Sequence, residues 1–296
     1  MAFQNVVMGY WPHALGLLLA VLGGFFIYGQ YDNWKVDGQK TTTAQIAAQQ
    51  SQLQQALAEK VDPVTRKLLS SAGWNVYAAM SRVQGMQPDE QMALISAPGF
   101  GHLMPLLYGQ SAMGADLERG DALDATLLVL GDLDDETKAL VVEAADRFAA
   151  IGAGSTGTAS AQAYVQAAEL YRVAGTAEQR SKALEQVIAR GDGPMKYAAS
   201  VTVAGTQADG GDVQGAVTRL RAFENDPDRF VAQDSLAQCG TLLETAGRTP
   251  EALDIYTKFL EKYPDTRMAV EIRARMERLG ATPTAPTAPT TPSTTP

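Results

Sequence analysis

Residues that could carry out chemistry are few and scattered along this chain of 296 residues. The two histidines, His13 and His102, have no second histidine, cysteine or paired carboxylate at a spacing typical of metal ligands. The single cysteine, Cys239, falls on the apolar stripe of an amphipathic segment, which favours a small core residue over a reactive thiol. Nucleophile-elbow, zinc-protease and phosphate-loop motifs do not occur. The sequence therefore predicts no catalytic, cofactor-binding or metal-binding residues, and a protein that is not an enzyme.

Two short segments resemble parts of ligand sites. Residues 152–157 read GAGSTG and have the glycine spacing of a dinucleotide-binding turn. Such a turn follows a strand, whereas an amphipathic helical pattern precedes this one, so we expect a loop between helices. The acidic residues Asp132, Asp134, Asp135 and Glu136 resemble half of a calcium loop. They lack the spaced glycine and the terminal glutamate of that loop, so we expect a turn that caps the next helix.

The overall composition favours packed helices and argues against nucleic-acid binding. Lysine and arginine number 24 against 33 aspartates and glutamates, which gives a net charge of −9. A nucleic-acid-binding protein would carry a basic stripe instead. The chain is rich in alanine and glycine and has few β-branched runs, which predicts an all-α fold. Its length suits one large domain or two small ones.

The stretch Asp234–Pro264 has the pattern of two short amphipathic helices joined by a tight turn. Apolar or small residues recur at steps of three and four in both halves, so each half presents one apolar face. Gly247 suits a left-handed helix C-cap, and Pro250 suits the first turn of the next helix. The second helix ends before Pro264, because the residue preceding a proline is pushed out of the helical region.

This stretch resembles a tetratricopeptide repeat, whose signature is W-x2-L-G-x2-Y, then A-x3-F, then P. Its positions are occupied in order by Leu236, Cys239, Gly240, Leu243, Ala252, Tyr256 and Pro264. The small Gly240 and Ala252 are expected where the two helices of a hairpin approach closely. Two less regular hairpins precede it, and Ala216 lies 36 residues before Ala252, close to the 34-residue period of the family.

The resemblance implies a right-handed α-solenoid of tetratricopeptide-like helical hairpins over residues 158–280. An amphipathic segment from Asp265 to Gly280 would form the polar-backed cap helix that ends such an array. The last 16 residues, 281–296, contain only alanine, threonine, proline and serine. Because these residues bury no core, we predict a disordered tail there.

The N-terminal segment has the composition of a membrane anchor. No lysine, arginine, aspartate or glutamate occurs from Met1 to Tyr31, and an apolar run extends from Ala14 to Tyr28. With aromatic residues at both ends, it predicts a transmembrane helix over residues 11–31 after a short N-terminus, residues 1–10. The alternatives are a cleaved signal peptide, which lacks its positive start and cleavage site here, and a buried core helix.

The region between the predicted anchor and the repeats is predicted as a helical linker followed by irregular helices. The linker, residues 32–62, places Ile46, Leu53 and Leu57 on one helical face. Residues 63–157 read as a degenerate helical region. Its apolar stripe begins after Pro63 and continues to Val83, which predicts one helix there.

A short N-terminus, one span, a helical linker and a repeat body together resemble the ancillary Sec-translocon subunit family of bacteria. That resemblance implies a single-pass inner-membrane protein with a periplasmic body that contacts the translocon and exported clients or chaperones. The positive-inside rule favours a cytoplasmic body instead, because Lys35 and Lys40 follow the span and no lysine or arginine precedes it. The Pro/Thr-rich tail and the absence of basic residues at the N-terminus depart from the family pattern.

The expected function is therefore a membrane-anchored scaffold or adaptor for protein–protein interactions at the bacterial inner membrane, in protein export or envelope-complex assembly. Its expected partners are membrane or exported proteins and the lipid bilayer, through residues 11–31. No nucleic acid and no small-molecule substrate are expected. A purely structural subunit of an envelope complex, without a client-binding groove, is the first alternative, and an enzyme is the second.

Overall fold

The computed structural model describes residues 38–101, residue 103 and residues 122–281. Every regular element within these ranges is a helix, which confirms the all-α prediction for this part of the chain. The predicted transmembrane segment, both histidines and the tail from residue 282 onward lie outside the described residues. Within the described ranges, no helix is both long enough and apolar enough to cross a membrane.

The chain divides into two compact units, Met1–Ala163 and Tyr164–Pro296. The described helices of unit 1 are α1 (38–60), α2 (Pro63–Ser71), α3 (Val76–Val83), α4 (Pro88–Ile95), α5 (Pro98–Gly101), α6 (Ala122–Leu130), α7 (Asp135–Ala153) and the start of α8 (Gly157–Ala174). Those of unit 2 are the remainder of α8, α9 (Ala177–Arg190), α10 (Gly193–Asp209), α11 (Val213–Arg221), α12 (Arg229–Thr245), α13 (Thr249–Lys262) and α14 (Arg267–Arg278).

In unit 1, α1 runs antiparallel to α7. Near the start of α1, the hydroxyl of Thr42 lies 2.9 Å from that of Ser155, just beyond the end of α7. Near the end of α1, the Lys60 ammonium lies 2.8 Å from the carboxylate of Glu136, in the first turn of α7. The face of α1 that the sequence predicts to be apolar is buried, with Ile46, Leu53 and Leu57 each less than a tenth exposed. The segment predicted as a linker is thus a packed helix of unit 1.

The single helix predicted from Pro63 to Val83 is wrong, because the chain turns between α2 and α3. Gly73 and Trp74 adopt left-handed backbone conformations, with φ of 64° and 61°. Asn75 then caps α3 by accepting a 2.8 Å hydrogen bond from the backbone N–H of Ala78. The apolar spacing continues across the turn because both helices bury residues in one core, so periodicity alone does not reveal the break.

In unit 2, one type of glycine turn occurs three times, at a constant interval of 36 residues. Gly175, Gly211 and Gly247 have φ of 77°, 91° and 72°, a region that glycine enters without steric cost. In each turn, the residue after the glycine donates its backbone N–H over 2.9 Å to the carbonyl five residues earlier. These are the left-handed C-caps that the sequence predicts at Gly247, repeated at two further positions.

Core positions recur at the same interval. Ala168, Ala204 and Gly240 occupy one such position and are small in all three copies. A Cβ atom on Gly240 would overlap the ring of Tyr256, which confirms the predicted close approach between α12 and α13. The second small position holds the fully buried Ala216 and Ala252, whereas the first copy has arginine there. The fold of unit 2 is therefore helical and repeat-like, with a period of 36 residues.

The helices of unit 2 pack in sequence order. From α9 to α14 each helix contacts the next, and α10 also contacts α12. One continuous core runs from Tyr197 on α10 to Met276 on α14. Edge-to-face contact between the rings of Tyr197 and Phe223, with centroids 5.2 Å apart, joins α10 to the turn that follows α11. Because consecutive helices are linked by short turns, each pair of neighbours is antiparallel.

Substitution of Gly240 by alanine is expected to destabilise the α12–α13 pair. The added methyl group would meet the buried Tyr256 ring, and overpacking of this kind costs about 1–3 kcal/mol. Hydrogen exchange of α12 and α13 in the full chain, in detergent, measures the effect as lost protection.

Gly205→Ala is the matched control, because a Cβ atom at that helical glycine would meet no atom within 4 Å. Alanine there is expected to stabilise α10 by about 0.5–1 kcal/mol. If the amides of α12 and α13 were equally protected from hydrogen exchange in the Gly240→Ala and Gly205→Ala variants, the close packing assigned to Gly240 would be contradicted.

Candidate interaction surface

The glycine-rich stretch that resembles a dinucleotide-binding turn lies between two helices. Gly152 is buried in the last turn of α7, and α8 begins at Gly157. A helix therefore stands where a dinucleotide site requires a strand, as the sequence predicts. The expected loop is short, because α7 continues to Ala153.

The acidic run before α7 acts as a helix cap. The side chain of Asp134 accepts a 2.7 Å hydrogen bond from the backbone N–H of Thr137, which confirms the predicted capped turn. Hydrogen bonds from Thr137 hold the pKa of Asp134 below its ordinary value. In the part of the chain that the structure describes, no three histidine, cysteine or acidic residues are grouped so as to hold a metal ion.

Cys239 is a core residue, as its position on the apolar stripe predicts. The side chain is fully buried, and its Sγ lies 3.6 Å from the carbonyl oxygen of Val217. Burial raises the pKa of the thiol to about 12. The thiolate is therefore not populated near neutral pH, and Cys239 is not suited to nucleophilic chemistry.

Polar side chains join α9, α11 and α13 at intervals of 34 residues. Arg219 on α11 donates two hydrogen bonds, of 2.8 and 3.3 Å, to the carboxylate of Glu185 on α9. Lys258 on α13 donates a 2.9 Å hydrogen bond to Glu224, just after α11, and holds the pKa of that carboxyl below its ordinary value. Equivalent parts of successive helical pairs therefore lie side by side in this series.

A second series of contacts joins α10, α12 and α14. The hydroxyl of Tyr197 on α10 donates a 2.6 Å hydrogen bond to Asp234 on α12. Burial, together with this hydrogen bond, raises the pKa of Tyr197. Arg275 on α14 donates to the hydroxyl of Thr241 at 3.2 Å and to Glu244 at 3.4 Å, both on α12. These contacts place the three helices next to one another.

One side of α10 and α12, which is exposed or half-buried, carries mostly small side chains, and Val201 and Ala237 on this side also pack against the edge of the core. Between Lys196 and Asp209, α10 has no charged residue. A Cβ atom on Gly205 would meet no atom of the described residues within 4 Å. We define the small-residue face as Ala198, Val201 and Gly205 of α10 with the equivalent residues one 36-residue period later on α12, which are Asp234, Ala237 and Thr241.

The small-residue face carries no sequence motif. Its members are exposed or half-buried, and their side chains lack the reactive groups that motif searches detect. The sequence feature that reveals these residues is the 36-residue interval, which aligns Val201 with Ala237 and Gly205 with Thr241. Applying that interval from the turn glycines assigns each residue of α10 a counterpart on α12.

A groove of about 740 Å³ lies on another part of unit 2, between the end of α9, the start of α10 and α11. Lys196, Arg219 and Asp226 are its charged lining residues. Arg219 is engaged by Glu185 and by Gln207, at 2.8 Å and 3.0 Å. Ser200 and Lys196 also line the groove, and the Ser200 hydroxyl donates a 2.8 Å hydrogen bond to the backbone carbonyl of Lys196.

Comparison with known proteins adds no assignment. A scan against protein-family models, a search of curated proteins and a search of solved structures each found no match to this chain. The arrangement of helices and the small-residue face are therefore the observations on which a functional proposal rests.

Removing the hydroxyl of Tyr197 is expected to weaken the contact between α10 and α12. In Tyr197→Phe, the half-buried carboxylate of Asp234 loses its donor, which costs about 1–2 kcal/mol. Hydrogen exchange of α10 and α12 should show the loss as reduced protection.

Tyr263→Phe serves as the control, because the Tyr263 hydroxyl makes no hydrogen bond within the described ranges while its ring packs at 5.5 Å from that of Phe259. We expect a change below about 0.5 kcal/mol there. A similar loss in both variants would mean that the hydroxyl of Tyr197 has no particular structural role.

Proposed function

We propose that this protein is a membrane-anchored scaffold or adaptor whose unit 2 is a right-handed α-solenoid of tetratricopeptide-like hairpins. The supporting observation is the three-fold recurrence, at 36 residues, of the glycine turns and of small core positions. Side-chain contacts at a separation of 34 residues support it further, because they join equivalent parts of successive hairpins. Arrays of this kind bind other proteins on the surface formed by one series of helices.

The small-residue face is the surface that we assign to partner binding. Ala198 and Gly205 leave room for a partner segment to approach the helix backbone closely, because neither has a long side chain, and half-buried Val201 between them adds an apolar contact at the edge of the core. Asp234 provides one half-buried carboxylate on the neighbouring helix. The partner chemistry that suits this face is an extended or helical protein segment with apolar side chains and few acids.

The anchor in this proposal is the apolar segment over residues 11–31, with no charged residue up to Tyr31. Anchoring in the bacterial inner membrane raises the effective concentration of membrane-bound and exported partners near the face. Such partners suit a role in protein export or envelope-complex assembly, as in the ancillary Sec-translocon subunit family that the layout resembles. We propose that the body is periplasmic, although Lys35 and Lys40 weakly favour a cytoplasmic body under the positive-inside rule.

The main alternative is a structural subunit of an envelope complex, in which unit 2 only packs against fixed neighbours. Both a binding face and a structural subunit are compatible with the free space beside Gly205, so the experiment that follows is designed to separate them. The second alternative is an enzyme, and no specific observation in the described part of the chain favours it.

Site-specific crosslinking tests the binding face. A photoreactive residue at position 205 is expected to capture partner proteins in intact cells, whereas one at exposed Thr257 on α13 is not. Gly205→Trp should reduce capture from neighbouring position 198 at least tenfold, because the indole would occupy the open space that a partner requires.

Thr257→Trp is the matched control and should leave capture unchanged, since it adds the same side chain to the other series of helices. Capture from position 198 that is insensitive to Gly205→Trp would favour the structural-subunit alternative. Mass spectrometry of the crosslinked products identifies the partners.

A topology reporter tests the placement of the body. We expect a phosphatase that is active only in the periplasm to be active when fused after Pro296, and a fluorescent protein that folds only in the cytoplasm to be dark there. An inactive phosphatase and a bright fluorescent protein would agree with the positive-inside rule applied to Lys35 and Lys40, and would place the body in the cytoplasm.

A further inference from the structure

The tether between the proposed anchor and α1 is short. The proposed span ends at Tyr31, and α1 is already helical at Gly38. An extended chain covers at most about 3.6 Å per residue, so α1 starts within about 25 Å of the end of the span. From Gly38 to Lys60, α1 extends about 33 Å, at 1.5 Å per residue. One end of α1 is therefore held near the membrane, and the other end can lie well away from it.

The antiparallel pairing of α1 and α7 shows which surfaces lie at each end. At the start of α1, Thr42 contacts Ser155, and a Cβ atom on Gly157 would lie 3.8 Å from the Nε2 atom of Gln39. We call this end, residues 38–42 and 153–158, the threonine–glycine pole. At the other end, Lys60 pairs with Glu136. We call that end, residues 59–62 and 131–138, the acidic pole.

The two poles differ in charge. The threonine–glycine pole contains one charged residue, Lys40, and the whole stretch 148–168 contains none. The acidic pole contains two lysines and six acids, a net charge of −4; the acids are Glu59, Asp62, Asp132, Asp134, Asp135 and Glu136. Bacterial phospholipid surfaces are anionic, so they repel the acidic pole and tolerate the other.

We propose that unit 1 faces the membrane surface with its threonine–glycine pole, whose partner is the layer of lipid headgroups, and turns its acidic pole toward water. This inference rests on the membrane anchor of the proposed function. Two independent observations agree on the orientation, because the tether holds the same end of α1 that lacks acidic side chains. At this end, Ala153, Gly154 and Thr156 are exposed, and their small side chains allow the α7–α8 turn to approach headgroups closely. Because α1 is packed into unit 1, a tether attached at Gly38 acts on the whole of the described unit.

Energy transfer to labelled lipids tests the orientation. The full chain is placed in nanodiscs of phosphatidylethanolamine and phosphatidylglycerol that carry a headgroup acceptor. A donor dye is attached to Thr156→Cys in one variant and to Asp135→Cys in another; both positions are exposed. Transfer from position 156 is expected to be at least twofold more efficient. The unmodified chain is the labelling blank, because its only cysteine, Cys239, is fully buried.

A flexible insert of 12 glycine and serine residues before Gly38 provides a second measurement. It lengthens the tether without changing either pole, so the difference in transfer between the two positions should shrink. Equal transfer in the original chain, or stronger transfer from position 135, would overturn the orientation while leaving the anchor intact. A chain that does not co-elute with nanodiscs would overturn the anchor itself and this inference with it.

Discussion

Small residues at the crossing of paired helices determine how closely the helices of unit 2 pack. At Gly240 the ring of Tyr256 occupies the space of a Cβ atom, and alanine fills the equivalent position in the two earlier copies. Close approach brings the apolar faces of both helices into one core, from Tyr197 to Met276. A single helical pair of this size cannot bury its apolar faces alone, so the contacts between successive pairs are as necessary as those within each pair.

The parts of the unit 2 fold that can be predicted from the sequence are those set by residues close together in the chain. The C-cap at Gly247, the early Pro250 and the small Gly240 each act within one turn or one crossing, and each is read directly from residue type. The period is harder to obtain, since it needs at least three copies. Ala216 and Ala252 give 36 residues, but the first copy has Arg180 at that position. The left-handed Trp74 was unpredictable, because a tryptophan with positive φ carries no recognised sequence signal.

The candidate interaction surface was less accessible to prediction than the fold. Binding faces made of alanine, valine and glycine have the composition of an ordinary helix surface. Gly205 combines free space beside it, a position inside a helix and contact of that helix with α12, and two of these are three-dimensional properties.

The segment after the proposed anchor shows how composition and structure can point to different roles. Residues 38–60 are rich in glutamine, threonine and alanine, and such a composition suits a solvated spacer. Yet one face of this helix is buried, and its two ends contact α7 through residues 113 and 76 positions away, at Ser155 and Glu136. An amphipathic stripe indicates that a face is buried but does not identify what buries it, so this pairing could not be read from the sequence. A packed helix cannot act as a slack tether, because swinging away from α7 would expose Leu53 and Leu57 to water. Residues 38–60 therefore move with the rest of the packed helices of unit 1.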